Sequence, residues 1–381
     1  MHIGKLPPAI PTLRHEFALT LAQSGWVVSA FNTLGLVASL GVGLLAARLG
    51  AWRQCVAGLL LLVAGGLLGA AANGAPGLLA GRLLEGAGFL LAVVAAPGLI
   101  LQSAAIADQR RALSFWGGYM PTGTMLGMLL APLLIAALGW RALWLVNAAC
   151  ALAVVALLWL QRGTFADARR SAPTSLALAV APLRQPGPWW IALAFACYVF
   201  NFFALMVWLP SFLVGERHLP LGLASLLTAA VVAANIPGNL LGGWLLQRGL
   251  SRGTNVSLAG VATVLCTAVV FGPAFADGWR YAGCVAFSFA VGILPGSVMS
   301  AGQTHARTPQ QAGMLQGMLN QGSNLGQFAS PFLVTLVVGS QLDWNRMFML
   351  FALSSAAIIG CGLVIRRIEQ RLLLKPHAAP A

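Results

Sequence analysis

The chain has 381 residues, of which 59% are apolar and only 8% charged, with a formal net charge of +14. A soluble domain carries about 25% charged residues; so few charges cannot make a water-soluble surface, and most of the exterior must face lipid. The basic excess does not point to nucleic acid, because the arginines sit in short clusters between long apolar runs, which is how a membrane protein marks its cytoplasmic side.

The opening stretch MHIGKLPPAIP has no uninterrupted apolar region of the kind a secretory signal needs. A bilayer crossing takes roughly 20 apolar residues. Such runs predict helices at 19–47, 54–73, 77–105, 113–138, 142–160, 189–213, 222–246, 255–275, 279–303, 313–338 and 347–365. A short apolar piece at 3–13 precedes them and reads as the end of one more helix, whose beginning is expected upstream of Met1. The expected fold is therefore an all-α polytopic membrane protein with eleven full spans and a truncated first one. The loops on one side carry Arg48, Arg53, Arg110, Arg111, Arg162, Arg169, Arg170, Arg184, Arg248, Arg252, Arg307, Arg366, Arg367, Arg371 and Lys375, against Arg14, Arg141, Arg217, Arg280 and Arg346 on the other. Fifteen against five predicts a C-terminus on the cytoplasmic side of the inner membrane. The loop 161–188 holds Pro173, Pro182, Pro186 and Pro188 and is the linker-like stretch, dividing bundles at 1–160 and 189–381. Cys55, Cys150, Cys197, Cys266, Cys284 and Cys361 all fall in apolar segments without a CxxC pair, and read as small packing residues.

The chain also repeats itself. Gly118, Gly123, Gly127, Ala131 and Pro132 share their spacing with Gly317, Gly322, Gly326, Ser330 and Pro331, an offset of 199 (322 − 123). Gly43, Leu45 and Arg48 recur as Gly243, Leu245 and Arg248, Pro97-Gly98 as Pro295-Gly296, and Pro11 falls against Pro210. Ordered matches at nearly one offset predict two parallel halves, a known transporter architecture.

With these residues in view, the chain resembles the major facilitator superfamily over essentially its whole length. GLLAARLGAWR, from Gly43, is similar to the family's G-x-L-A-D-R-x-G-R-R loop between helices 2 and 3, matching at Gly43, Leu45, Ala46, Arg48, Gly50 and Arg53. The acid that helps latch the cytoplasmic gate in the family is replaced by Ala47, and by Gln247 in the second copy. GRLLEGAG, from Gly81, resembles the fourth-helix pattern R-x-x-Q-G-x-G at Arg82, Gly86 and Gly88, with Glu85 in the Gln position. The GKLPPAIP start and SFWGGYMPTG also look similar to cyanate-permease-like anion carriers. The resemblance implies two six-helix bundles around a central cavity lined by helices 1 and 4, among others, and a gating role for Gly43, Arg48, Gly50, Arg53 and Arg248.

Charges within the membrane are costly and mark function by default. Lys5 lies nine residues before Arg14, and Glu85 nine residues after Pro76; both are about 13 Å deep at 1.5 Å per residue. Arg82 and Glu85 are i,i+3 and can share a face. One reading is a structural salt bridge; the other is a substrate or coupling site in which two cations outweigh one carboxylate and suit an anionic solute. Glu85 is also a candidate carrier of a coupling proton. A second set is uncharged: Asn32, Trp116, Tyr119, Tyr198, Asn201, Asn235, and the one-faced stripe Asn320, Asn324, Gln327. Interhelical hydrogen bonding competes with cavity lining for each. His305 reads as a loop residue. No HExxH or Walker loop is present, so nothing supports an enzyme. The expectation is a monomeric secondary transporter of a small organic or inorganic anion, coupled to protons and acting in the lipid bilayer without a cofactor. A proton-driven multidrug exporter is the alternative.

Overall fold

The computed structural model describes residues 1–105, 119–165, 181–306, 309–339 and 342–374. Its secondary structure among these is helical: α1 Leu6–Phe17, α2 Leu21–Ala30, α3 Thr33–Leu49, α4 Ala51–Ala70, α5 Ala75–Ser103, α6 Tyr119–Leu138 and α7 Trp140–Leu160. After two short 3₁₀ turns come α8 Pro186–Gly215, α9 Leu221–Gln247, α10 Arg252–Phe271, α11 Asp277–Val298, α12 Pro309–Val338 and α13 Met347–Leu374. Nine of the described helices are long and apolar enough to cross a membrane, so the chain is a multi-pass membrane protein. Helices suit that solvent because each meets its own backbone hydrogen bonds where lipid offers none.

The apolar run expected as one helix over 19–47 is two. Thr20 starts α2 with a capping box, its hydroxyl accepting from Gln23 N at 3.1 Å while its own N–H donates to Gln23 Oε1 at 2.9 Å. The helix then tightens where Asn32 N donates to Ser29 O at 2.9 Å, an i−3 bond of the 3₁₀ kind, and α3 resumes beyond it. Ser29 Oγ donates instead to Phe328 O of α12 at 2.8 Å. Between α3 and α4, Gly50 has φ +82°, a conformation that favours glycine.

Contacts divide the chain into two compact units. One comprises Met1–Pro173, Phe203–Ala233 and Gln327–Trp344; the other comprises Thr174–Phe202, Ala234–Gly326 and Asn345–Ala381. In the first, α4 lies along α5 and α7. Its glycines interlock antiparallel with those of α5: a Cβ on Gly58 would lie 2.6 Å from Gly88 O, and one on Gly65 would lie 2.7 Å from Gly81 O. Small residues let helix backbones approach in this way, and packing of this kind drives association in lipid. In the second unit α10 lies along α11 and α13.

The repeated glycines do the same work in each unit. A Cβ on Gly127 would press on Met1 O and Lys5 N, both at 3.0 Å, and one on Gly123 on Met1 N at 2.9 Å. On α12, Gly322 faces Ala196 N at 3.6 Å, and Gly326 faces Ala196 O and Phe200 N, the latter at 2.9 Å. Gly123 and Gly127 thus correspond to Gly322 and Gly326 by contact as well as spacing. The same contacts set Met1 against Ala196 and Lys5 against Phe200, an offset of 195 (196 − 1). Pro11 therefore corresponds to Met206, one helical turn away from Pro210. Overpacking a tight helix contact costs about 1–3 kcal/mol. Gly88→Ala should therefore lower the melting temperature in detergent, whereas Gly360→Ala, with nothing within 4 Å of its Cβ position, should leave it unchanged or slightly raised.

Candidate substrate and coupling site

Three of the predicted residues meet inside the first unit. Glu85 sits on α5, where Gly65 of α4 leaves room: a Cβ there would stand 2.9 Å from Glu85 Cγ. One turn earlier, Arg82 Nη1 donates to Glu85 Oε2 at 2.7 Å and to His2 O at 3.0 Å. Lys5, the residue before α1, donates from Nζ to Glu85 Oε1. The N-terminal turn can deliver it because Gly4 and Gly127 let the segment press on the α6 backbone. His2 Nδ1 lies 3.1 Å from the same carboxylate oxygen.

Lys5 and Glu85 are 0% exposed and Arg82 is 2% exposed. Both cations also rest on rings. Lys5 Nζ is 4.4 Å from the centroid of a Trp144 ring, and Arg82 Cζ is 4.3 Å from that of Phe31, an attraction that strengthens when the charge is desolvated. Gly69 admits the Trp144 indole, since a Cβ at that position would lie 2.5 Å from Nε1. With His2 neutral, the cluster of Lys5, Arg82 and Glu85 holds one positive charge in excess. His2, whose side chain is 13% exposed, is the least buried side chain touching the carboxylate.

The uncharged candidates fall into three situations. In the second unit, Tyr198 Oη donates to Asn235 Oδ1 at 3.1 Å, and Asn235 Nδ2 donates to Ser288 O at 3.0 Å, joining α8, α9 and α11. Asn201 Nδ2 reaches Ser355 Oγ of α13 at 3.4 Å, and its Oδ1 is buried without a hydrogen-bond partner among the described residues. On α12 the stripe is partly self-satisfied: Asn324 Nδ2 donates to Asn320 O at 2.8 Å, and Gln316 Nε2 reaches Asn320 Oδ1 at 3.4 Å. Asn320 and Asn324 are half-buried, and Gln327 is buried. Asn32 is buried at the α2–α3 break, while Tyr119 is half-buried at the start of α6 with its ring 6.3 Å from that of Phe89. Trp116 lies outside the described residues.

Of the loop motif, only the helical backbone is described at Gly43 and Arg48. Arg53 is exposed, and exposed Arg248 stacks over Trp244, Cζ to centroid 4.6 Å. His305 is not a loop residue. It lies in a short helical turn, Gly302–His305, and is buried with Nε2 3.2 Å from Glu369 Oε1. Arg252 donates to the same oxygen and to Ser297 O at 3.0 Å. Glu369 is 117 residues from Arg252 in the chain, and nothing local in the sequence signals the pairing. Sequence reasoning also missed His2, Phe31 and Trp144. The two rings are indistinguishable by residue type from the other aromatics of the spans, and only their place over a cation singles them out.

Residues 3–331 match the sequence model of the Major Facilitator Superfamily. The chain is 27% identical over 377 residues to a 2-nitroimidazole transporter of Escherichia coli, covering 95% of this chain and 91% of that one. It is 31% identical over 291 residues to the 3-(3-hydroxy-phenyl)propionate transporter of the same species, covering 74% and 69%. In three dimensions it is similar to a bacterial homologue of the human lysosomal transporter Spinster in an inward-facing, unoccupied conformation, with a TM-score of 0.73 at 14% identity, covering 100% and 96%. It is equally similar to the nucleoside transporter NupG, with a TM-score of 0.73 at 15% identity, covering 95% of each chain. A transporter fold, buried ionic residues within apolar helices and a family match from residue 3 to residue 331 agree: this chain belongs to the Major Facilitator Superfamily, whose members are membrane transporters of small solutes and not enzymes.

Proposed function

We propose that the protein carries a small anionic solute together with a proton, by alternating access, and that Lys5, Arg82 and Glu85 couple the two. The single observation that carries this is a fully buried cluster with two cations on one carboxylate. Uncompensated charge in a low-dielectric interior is expensive, so the favoured occupancies are those that keep the cluster's charge constant. Empty, it is +1. A proton on Glu85 alone makes it +2, with both cations deprived of their partner. A proton and a monovalent anion together return it to +1, the anion binding beside Arg82. Coupling of one proton to one negative charge follows from that balance, with His2 as the contact through which the proton arrives.

Two relatives support a substrate of this chemistry. The 3-(3-hydroxy-phenyl)propionate that one transports carries a carboxylate; the nitro group of the other's 2-nitroimidazole is uncharged overall but shares the carboxylate's planar pair of oxygens. The wider arrangement we infer is two bundles, 1–160 and 189–381, joined by the cytoplasmic segment 161–188, in the inner membrane with the C-terminus inside. A Galactose-proton symporter of Escherichia coli, 34% identical over 97 residues, also supports proton coupling.

Counterflow into liposomes with radiolabelled cyanate, monocarboxylates and lipophilic cations tests the substrate class. Anions should exchange; movement of the cations alone would replace this reading with the multidrug exporter. Glu85→Gln should abolish uptake driven by a pH gradient while leaving solute exchange in place, and pH-dependent uptake unchanged by that substitution would leave Glu85 a structural residue. The same balance governs stability. Removing one partner of a buried ion pair costs about 3–5 kcal/mol, so Glu85→Gln should lower the melting temperature in detergent. Adding Lys5→Met should recover part of the loss by returning the cluster to one charge.

A further inference from the structure

The guanidinium of Arg82 is only half used. Nη1 serves both Glu85 Oε2 and His2 O. Nε is sealed from solvent with no hydrogen-bond partner among the described residues, and the hydrogen bonds that Arg82 makes to them leave Nη2 out. A buried N–H without an acceptor is uncommon and needs a reason. Nε–H and one N–H of Nη2 point the same way along one edge of the planar fork, at the spacing of the two oxygens of a carboxylate. Phe31 covers a face of the guanidinium at 4.3 Å, which leaves edge-on approach in the plane. Ring contacts run on from there, Phe31 to Phe89 at 5.2 Å and Phe89 to Tyr119 at 6.3 Å.

We propose that the Nε–Nη2 edge of Arg82 anchors a carboxylate, or the nitro group that shares its shape, on a flat solute whose body packs along Phe31, Phe89 and Tyr119. This rests on the anion-transport reading and sharpens it from charge to geometry. A point charge would serve any anion equally; a fork favours two coplanar oxygens. Arg82→Lys separates the two, because lysine keeps the charge and loses the paired donors.

The test is counterflow of radiolabelled benzoate and cyanate in liposomes carrying wild-type protein or Arg82→Lys. Cyanate is linear and cannot span the edge. The half-saturation concentration for benzoate should rise at least tenfold in Arg82→Lys, and that for cyanate less than threefold. Equal weakening of both would mean that charge alone matters, and would overturn the proposal while leaving anion transport standing. A wild type that moves lipophilic cations but neither anion would overturn the transport reading, and this one with it. If Arg82→Lys does not fold, thermal protection of the wild type by benzoate and by pentafluorophenolate, a flat monoanion with a single oxygen, decides the matter. Pentafluorophenolate should need at least tenfold higher concentration, and equal protection by the two would sink the idea.

Discussion

Two cations share one carboxylate in the interior of a helical membrane unit, and much of the local packing depends on letting them do so. A lone charge in hydrocarbon is driven either to find a partner or to lose its proton. Glu85 meets Arg82 along its own helix, but Lys5 comes from the residue before α1, 80 residues away in the chain. The backbone accommodates the meeting with glycine. Gly65 stands back from the Glu85 side chain, Gly69 from the Trp144 indole beneath Lys5, and Gly4 with Gly127 from the α1–α6 approach. A larger residue at any of these would push a charge off its partner, so the ionic cluster and the close helix packing form one constraint.

Lipid imposes a second constraint on the polar residues of the spans, which meet it in two ways. Some bond back along their own helix: Thr228 Oγ1 to Ala224 O at 2.8 Å, Thr267 Oγ1 to Thr263 O at 2.7 Å, Asn147 Nδ2 to Leu143 O at 2.7 Å. Others tie helices together, as Tyr198, Asn235 and the Ser288 carbonyl do. The first kind adds no tertiary information and the second specifies neighbours. Asn324 belongs in part to the first kind, through its bond to the Asn320 carbonyl, which weakens the case for reading an amide stripe as a cavity wall from spacing alone.

Membership of the superfamily determines the architecture but not the cargo, because one fold hosts many solutes. What distinguishes this chain lies in its departures from the family's pattern. Glu85 replaces a glutamine in the fourth-helix motif, adding a titratable group between cations. The loop motif lacks its acid at Ala47 and Gln247, and in the second unit a carboxylate from α13, Glu369, sits on Arg252 and His305. A counter-charge near the loop thus comes from a helix far along the chain.

The sequence by itself determined the class, most of the spans, the internal repeat and the superfamily, because each is written in local composition or in regular spacing: apolar runs of membrane length, basic clusters, glycines recurring 199 residues apart (322 − 123). It also predicted one depth for Lys5 and Glu85, since rise per residue converts counting into distance. Depth is one coordinate; which helices face each other is another, and that is set by packing between segments far apart in the chain. Only the tertiary structure therefore showed that Lys5, Arg82 and Glu85 touch, that Trp144 and Phe31 lie on the cations, and that His305 is buried against Glu369. It likewise shifted the partner of Pro11 by a turn, because a proline match scores residue type, whereas backbone contact at Gly127 and Gly326 measures where two helices meet.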